Sequence, residues 1–231
     1  MNFIKLTVKV VLVIIISFIM DGCKKDDNLV YGTMTDQEGN VYKTIIIGAQ
    51  TWMAENLRTT TYRNGEPIIK VIYSKSYWQQ DGGYLDSENI PIFGRLYTWG
   101  VISNSNNISP TGWHVPTDKE WTSLITFLGG EEVAGKKMKE KGTAHWEDPM
   151  TVPGGDPTAI GTNESGFNAV PAGAYDPEGT PQVKGTYSFF WSSTESESSF
   201  AWGRSLVFYE SQCFRFEDPK DFAFSLRLVK D

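Results

Sequence analysis

His114 and His145 are the chain's only imidazoles, and Cys23 and Cys213 its only thiols. No two of them stand at a short ligand spacing, so they do not read as a zinc site. His114 lies in Trp113-His114-Val115-Pro116 and reads as a hydrogen-bonded structural residue beside a helix start, while His145 precedes Trp146 in a loop. Asp118 and Glu120 are spaced as an acid pair for proton transfer, but Glu120 is better explained as part of a helix cap. No Ser/His/Asp set, phosphate-binding loop or dinucleotide glycine pattern occurs. Asp148 to Asp156 and Asp176 to Glu178 are rich in the oxygen donors that Ca2+ takes, without the regular ligand spacing of a calcium loop. The expected cofactor is therefore none.

What remains is recognition chemistry. Ser76-Tyr77-Trp78-Gln79-Gln80-Asp81-Gly82-Gly83-Tyr84 sets aromatic rings among amides and glycines. Sugars are bound by that mix, because a ring packs on the apolar sugar face while amides bond the hydroxyls. Trp146 and Tyr175, in loops, extend such a surface. The candidate ligand-binding residues are thus Trp78, Tyr84, Trp146 and Tyr175, each of which has a plainer reading as a ring anchoring its loop. Trp52, Trp99, Trp113, Trp121, Trp191 and Trp202 are assigned to the core.

Composition limits the partners. The 231 residues are 40% hydrophobic and 13% aromatic, with a formal charge of −7. That suffices for one good-sized core and excludes disorder, collagen and coiled coil. A chain this acidic lacks the basic footprint of nucleic-acid binding.

The N-terminus carries an address. Lys5 and Lys9 precede Val10 to Met20, an apolar run in which only Ser17 is polar. It suits a signal-peptide core and falls short of the roughly 20 residues of a spanning helix. It ends in Asp21-Gly22-Cys23, and Gly22-Cys23 resembles the lipobox of bacterial lipoproteins. That resemblance implies a signal peptide over 1–22, acylation of Cys23 by diacylglycerol and a palmitate-type chain, and a lipid-anchored spacer over 23–29. Lys24-Lys25-Asp26-Asp27 resembles the acidic tail that sends Bacteroidetes lipoproteins to the outer face of the outer membrane. Cys213 is then the only thiol left, no intrachain disulfide can form, and stability must come from packing. On a strand in Gln212-Cys213-Phe214-Arg215-Phe216, that thiol reads as inert packing.

The elements that must position these residues form a single domain over 30–231. Val30 to Thr35 and Val41 to Ile47 flank a turn with Gly39-Asn40 at positive φ, an opening hairpin. Thr117 and Glu120 form a capping box, after which Trp121, Leu124, Ile125 and Leu128 make one apolar helix face that Gly129-Gly130 ends. Glu131 to Lys141 reads as a second helix, with Val133 and Met138 inward and Lys136, Lys137, Lys139 and Lys141 on a solvated face. Ala201 to Tyr209 and Cys213 to Phe216 read as a strand pair, and Phe222 to Val229 as a closing strand. Long connections at 103–110, 147–166, 172–185 and 192–199 are rich in Gly, Pro, Ser and Asn. The expected class is α+β, with small twisted antiparallel sheets, about two helices and long irregular loops.

Several phrases match a known family. They are Gly48-Ala49-Gln50-Thr51-Trp52-Met53-Ala54-Glu55-Asn56-Leu57, Gly94-Arg95-Leu96-Tyr97-Thr98-Trp99, the run from Pro110 to Trp121, Thr162-Asn163-Glu164-Ser165-Gly166-Phe167, Phe190-Trp191-Ser192-Ser193-Thr194 and Phe224-Ser225-Leu226-Arg227-Leu228-Val229. Together they resemble the Fibrobacter succinogenes major paralogous domain of exported bacterial lipoproteins, a family with no agreed biochemical function. More distantly, the phrase from Gly112 to Trp121 and the closing strand resemble the formylglycine-generating, sulfatase-modifying family, which implies a C-type-lectin-like architecture. The oxidase chemistry of that second family runs on two reactive cysteines, and a chain left with Cys213 alone departs from it. The expected function is a surface-exposed, non-catalytic binding or adhesion module for an extracellular glycan or protein. The alternatives are a structural subunit of a surface or fimbria-like assembly, and an enzyme whose site the sequence does not reveal.

Overall fold

A computed structural model describes residues 29–71 and 82–231. The leader, Cys23 and Trp78 lie outside the described residues. The chain opens with β1 (Gly32–Thr35), β2 (Val41–Ile47) and β3 (Gln50–Met53), an antiparallel meander. The first turn forms because Asp36 Oδ1 accepts the backbone N–H of both Glu38 and Asn40, each at 2.9 Å. Gly39 takes positive φ there as expected, whereas Asn40 does not, since that carboxylate already holds its N–H.

β4 (Tyr84–Asp86), the one-turn helix α1 (Ile90–Phe93), β5 (Arg95–Thr98) and the short helix α2 (Trp99–Ser103) follow, then β6 (Trp113–His114). Helix α3 (Asp118–Phe127) carries the expected capping box, with Glu120 N–H donating to Thr117 Oγ1 at 3.2 Å and Thr117 N–H to Glu120 Oε2 at 2.8 Å. Gly129 and Gly130, both at positive φ, end it and start α4 (Glu131–Met138). After two 3-10 turns come β7 (Ala174–Tyr175), β8 (Pro181–Gln182), the long hairpin of β9 (Tyr187–Glu197) and β10 (Phe200–Val207), then β11 (Cys213–Pro219), β12 (Ala223–Ser225) and β13 (Val229–Lys230).

Two curled sheets result, ordered β1-β2-β3-β13-β6 and β11-β10-β9-β12-β5-β4, with β7 and β8 beside the second. Among the described residues, every pairing between these strands is antiparallel except that of β12 with β9. The class is α+β, with four helices among the described residues where about two were expected. The closing segment is not one strand. β12 belongs to the second sheet and β13 to the first, and Leu226 to Leu228 cross between them. Leu226 and Leu228 carbonyls accept Leu57 and Met53 N–H there, each at 2.9 Å.

Three expectations need correction. Residues 192–197, read as loop, continue β9, because ladder hydrogen bonds form between backbones and do not require apolar side chains. Helix α4 stops at Met138 and not at Lys141. Lys139, placed on a solvated face, is buried, and its ammonium is taken up by the β10–β11 turn.

One aromatic core lies under α3, where Trp52, Trp121, Phe167 and Phe190 meet at centroid distances from 4.7 to 6.0 Å. A second fills the space between the sheets around Tyr42, Tyr97, Trp191 and Phe224. Of the six tryptophans assigned to the core, Trp52, Trp99, Trp121 and Trp191 are buried, and Trp113 and Trp202 are half-buried. Arg215 covers Trp202, its guanidinium 3.3 Å from the ring centroid.

α4 approaches the sheet so closely that only glycine fits at one position. A Cβ on Gly135 would stand 2.0 Å from the Gln212 carbonyl oxygen and 2.8 Å from that of Ser211. In an exposed helix Gly→Ala stabilises by about 1 kcal/mol. Here Gly135→Ala is expected to destabilise by about 2 kcal/mol, because the backbone of residues 211–212 must move away. Urea unfolding followed by tryptophan fluorescence checks the sign, and a stabilised variant would contradict the packing described.

Candidate functional site

The tip of the β9–β10 hairpin, the β11–β12 turn and the start of α2 enclose a cleft of about 580 Å³. Trp99 forms one wall. Its backbone N–H donates to the Lys220 carbonyl at 3.0 Å, and its indole Nε1 to the Ser192 carbonyl at 2.9 Å, so the ring is fixed to both the turn and β9. Lys220 Nζ sits 4.5 Å from the Trp99 ring centroid, 2.9 Å from Glu195 Oε1 and 2.8 Å from the Ser198 carbonyl. Lys220 N–H donates to the Ser199 carbonyl at 3.0 Å, which ties the turn to the hairpin tip. Asp221, next in the chain, has Oδ1 buried with no hydrogen-bond partner among the described residues. Ser103 and Gly82 complete the lining, and Gly82 packs so closely that a Cβ would lie 2.4 Å from Val101 N.

The site therefore offers an indole, an ammonium held over it, two carboxylates and serine hydroxyls. Those groups accept and donate hydrogen bonds to a polar ligand around one apolar face. Neither histidine nor Cys213 is among the described residues that line it.

A second concavity, about 590 Å³, lies between α4 and the β10–β11 turn, with Glu132, Asp156, Tyr209 and Glu210 on its walls. Two of its acids already have partners. Glu132 accepts from Gln212 Nε2, and Asp156 accepts from Thr158 N–H at 2.7 Å and Thr158 Oγ1 at 2.6 Å. It is the weaker candidate.

The described ones among the aromatics singled out from the sequence, Tyr84, Trp146 and Tyr175, do not gather at either place. Tyr84 is buried in β4 opposite Tyr97, with the Arg95 guanidinium 5.2 Å from its ring centroid, and it anchors the strand. Trp146 is buried too, its Nε1 donating to the Ala169 carbonyl at 2.9 Å, and it lines neither concavity. Tyr175 is half-buried in β7, its hydroxyl 3.3 Å from the Asp86 carbonyl. In each case the ring packs against elements distant in sequence, which the loop composition around it does not reveal. The cleft is built instead from Trp99, which had been given a purely structural role, and from Glu195, Lys220 and Asp221. Their one local signal is Pro219-Lys220-Asp221, turn punctuation between two strands.

The remaining reactive groups are engaged in structure. His114 joins Glu120 Oε1 at 2.8 Å through Nε2 and Asp231 Oδ1 at 2.7 Å through Nδ1. Burial pulls its pKa down, but the hydrogen bonds to the two carboxylates outweigh that and raise it above the ordinary value. His145 meets Glu140 at 2.8 Å. Asp118 binds the buried Arg204 at 2.6 Å and Arg215 at 3.0 Å. Burial raises the Asp118 pKa, and those arginine contacts more than reverse it. Cys213 is fully buried, which pushes its thiol up to about 12 and away from the reactive thiolate. Among the described residues no group of three or more His, Cys, Asp or Glu is placed to hold a metal ion.

Nothing among curated proteins and nothing among solved structures matches the chain. Residues 45–230, most of its length and including the whole second sheet, the cleft and the two longer helices, match the Fibrobacter succinogenes major domain. The chain belongs to the Fibrobacter succinogenes major domain family.

Proposed function

We propose that this chain is a lipid-anchored, surface-facing binding module without catalytic activity, and that the Trp99–Lys220–Asp221 cleft receives an extracellular glycan. The observation that carries this reading is the buried Asp221 Oδ1, which has no hydrogen-bond partner among the described residues. A desolvated carboxylate oxygen is costly until something donates to it, and sugar hydroxyls are donors of the right kind. The indole of Trp99 and the serines beside it support a polyhydroxylated ligand over an apolar one. The anchor rests on the Gly22-Cys23 lipobox and the short spacer after it. We read the fold as C-type-lectin-like, on the strength of the Gly112 to Trp121 phrase, the small curled sheets and the two longer helices.

A glycan array probed with the protein lacking residues 1–23 tests the proposal. Asp221→Ala is expected to weaken binding to any positive glycan about ten-fold, the worth of one well-placed hydrogen bond to a charged group. Its unfolding midpoint should not fall, since the Oδ1 it removes bonds nothing among the described residues. Equal binding by Asp221→Ala and parent would place the ligand elsewhere. An array without a positive, with a stable partner recovered from cross-linked membranes, would favour the assembly-subunit alternative.

A further inference from the structure

The outer strands of a sheet carry unpaired N–H and C=O groups that can take up another chain, and proteins keep such edges short or cover them. Among the described residues the outer strands of the two sheets are β1, β6, β4 and β11. The first three have four, two and three residues. β11 has seven, and it pairs with β10 on one side and with no described strand on the other. Among the described residues no backbone–backbone hydrogen bond outside the β10 ladder involves residues 213–218. This long edge is open.

Its side chains sort by face. Cys213 is buried in the core with Ala134 and Met138 of α4, Arg215 reaches Asp118 at the start of α3, and alternation puts Glu217 on that same face. Phe214 and Phe216 are on the other face, where Phe216 meets Phe189 and Phe224, each at 5.6 Å between ring centroids. The first face carries unbalanced charge. Arg204 and Arg215 stand opposite each other in the β10–β11 ladder and share one carboxylate, Asp118. That group keeps one positive charge, and its Arg215 end is exposed. Glu217 is exposed as well, and it has no ion-pair partner among the described residues.

We propose that β11 pairs antiparallel with β11 of a second copy of this chain, about a twofold axis at Phe216. Residues directly opposite in an antiparallel pair share a face of the sheet, so the axis falls on a residue and not between two. On Phe216 it sets Arg215 opposite Glu217 twice, Phe216 opposite Phe216, and Phe214 opposite Asp218. Each unpaired Glu217 then meets the arginine pair of the other copy, which has one positive charge to spare. An axis on Arg215 or on Glu217 would instead set like charges opposite each other, which destabilises. The charges therefore choose both the occupant and the register. The contact uses the same patch on both copies, so it closes at two. It joins the second sheets of the two copies into one. Lys220 follows β11 directly, so the two clefts stand roughly 25 Å apart along the paired strands at about 3.4 Å per residue. The pairing itself depends on nothing in the cleft.

Sedimentation velocity of the full chain in density-matched detergent solution tests this. The parent is expected to show a reversible monomer–dimer equilibrium. Glu217→Lys should raise its dissociation constant about ten-fold or more, with Glu217→Gln in between. Both substitutions are at an exposed side chain, so the unfolding midpoint of the monomer should stay where it is. The register is read by disulfide trapping. An equal mixture of Arg215→Cys and Glu217→Cys proteins, mildly oxidised, should give a bond between positions 215 and 217 in the peptide mass spectrum, and Glu217→Cys alone several-fold less of any bond at 217. Cys213 is fully buried and does not compete. A parent that stays monomeric at every concentration would overturn the proposal. A dimer that Glu217→Lys leaves unchanged, or one without the 215–217 bond, would place the contact elsewhere and overturn it too.

Discussion

Arg227→Met is expected to destabilise the domain by about 4 kcal/mol, enough to unfold much of the population at room temperature. Arg227 is fully buried in the segment that crosses from the second sheet to the first. Its Nε donates to Asn56 Oδ1 at 2.6 Å, Nη1 to the Phe167 carbonyl at 2.7 Å and the Met53 carbonyl at 3.1 Å, and Nη2 to the Asn168 carbonyl at 3.1 Å. The guanidinium also lies 4.7 Å from the Phe167 ring centroid and 5.7 Å from that of Phe190. No carboxylate is among these bonded partners, and burial pulls the pKa of the group down. Methionine fills the volume and removes the buried charge, which is a gain. It also takes a donor from four acceptors, three of them in buried bonds, each worth about 1 kcal/mol or more. The acceptors win because only one side of the interaction is deleted. Arg227→Lys is expected to fail as well, since a single ammonium cannot reproduce the planar fork that reaches three segments. Chemical denaturation gives the answer, and a loss under about 1 kcal/mol for Arg227→Met would show that the cluster is not what joins the sheets.

Lys139→Met is expected to destabilise by about 2 kcal/mol at neutral pH and to remove a pH dependence that the parent shows. Lys139 Nζ donates to the carbonyls of Val207, Phe208 and Glu210 at 2.9, 3.3 and 2.8 Å, closing the β10–β11 turn, and stands 5.4 Å from the Trp146 ring centroid. Burial pulls its pKa from 10.5 down to about 8, with Glu210 opposing weakly. Between those values the unfolded chain keeps a proton that the folded protein has released. Stability therefore rises with pH from about 8, at up to about 1.4 kcal/mol per unit, and levels off near the unfolded value. Cys213 acts in the opposite direction, because its pKa is raised from 9 to about 12 and the unfolded thiol ionises first. The net rise is thus sharpest between pH 8 and 9. Subtracting the profile of Lys139→Met from that of the parent cancels the Cys213 and His114 contributions. The difference should show the parent gaining stability with pH in that window. A flat difference would mean that the ammonium is not desolvated.

These two residues also show what could be read from the sequence and what could not. Helix α3 was legible because its cap and its apolar period are local to a dozen residues. The opening hairpin was legible for the same reason. Lys139 was not, because the carbonyls that receive it lie at least 68 positions further along the chain, and a lysine-rich helix end otherwise reads as a solvated face. Trp146 sits in a loop by composition and in the core by virtue of Ala169. Residues 192–197 look like loop because their side chains are polar, yet their backbone pairs with β10. The family phrases were the most visible feature, and the structure gives three of them a common task. Asn56, Phe167 and Arg227 come from separate phrases and meet in one buried hydrogen-bond cluster. Such phrases mark how the sheets are joined. The cleft was invisible by contrast, since Trp99, Glu195 and Lys220 come together only in the folded chain.

The eight tryptophans supply the most direct test of where a ligand binds. Indole N–H resonances of the isotope-labelled domain can be followed while a glycan identified on the array is added. The indole of Trp99 should shift in a saturable way, since Lys220 and the ligand share its face. The indoles of Trp52, Trp121 and Trp146, sealed in the core under α3, should stay in place. Saturable shifts at other indoles with Trp99 unmoved would show that the cleft is not the binding site.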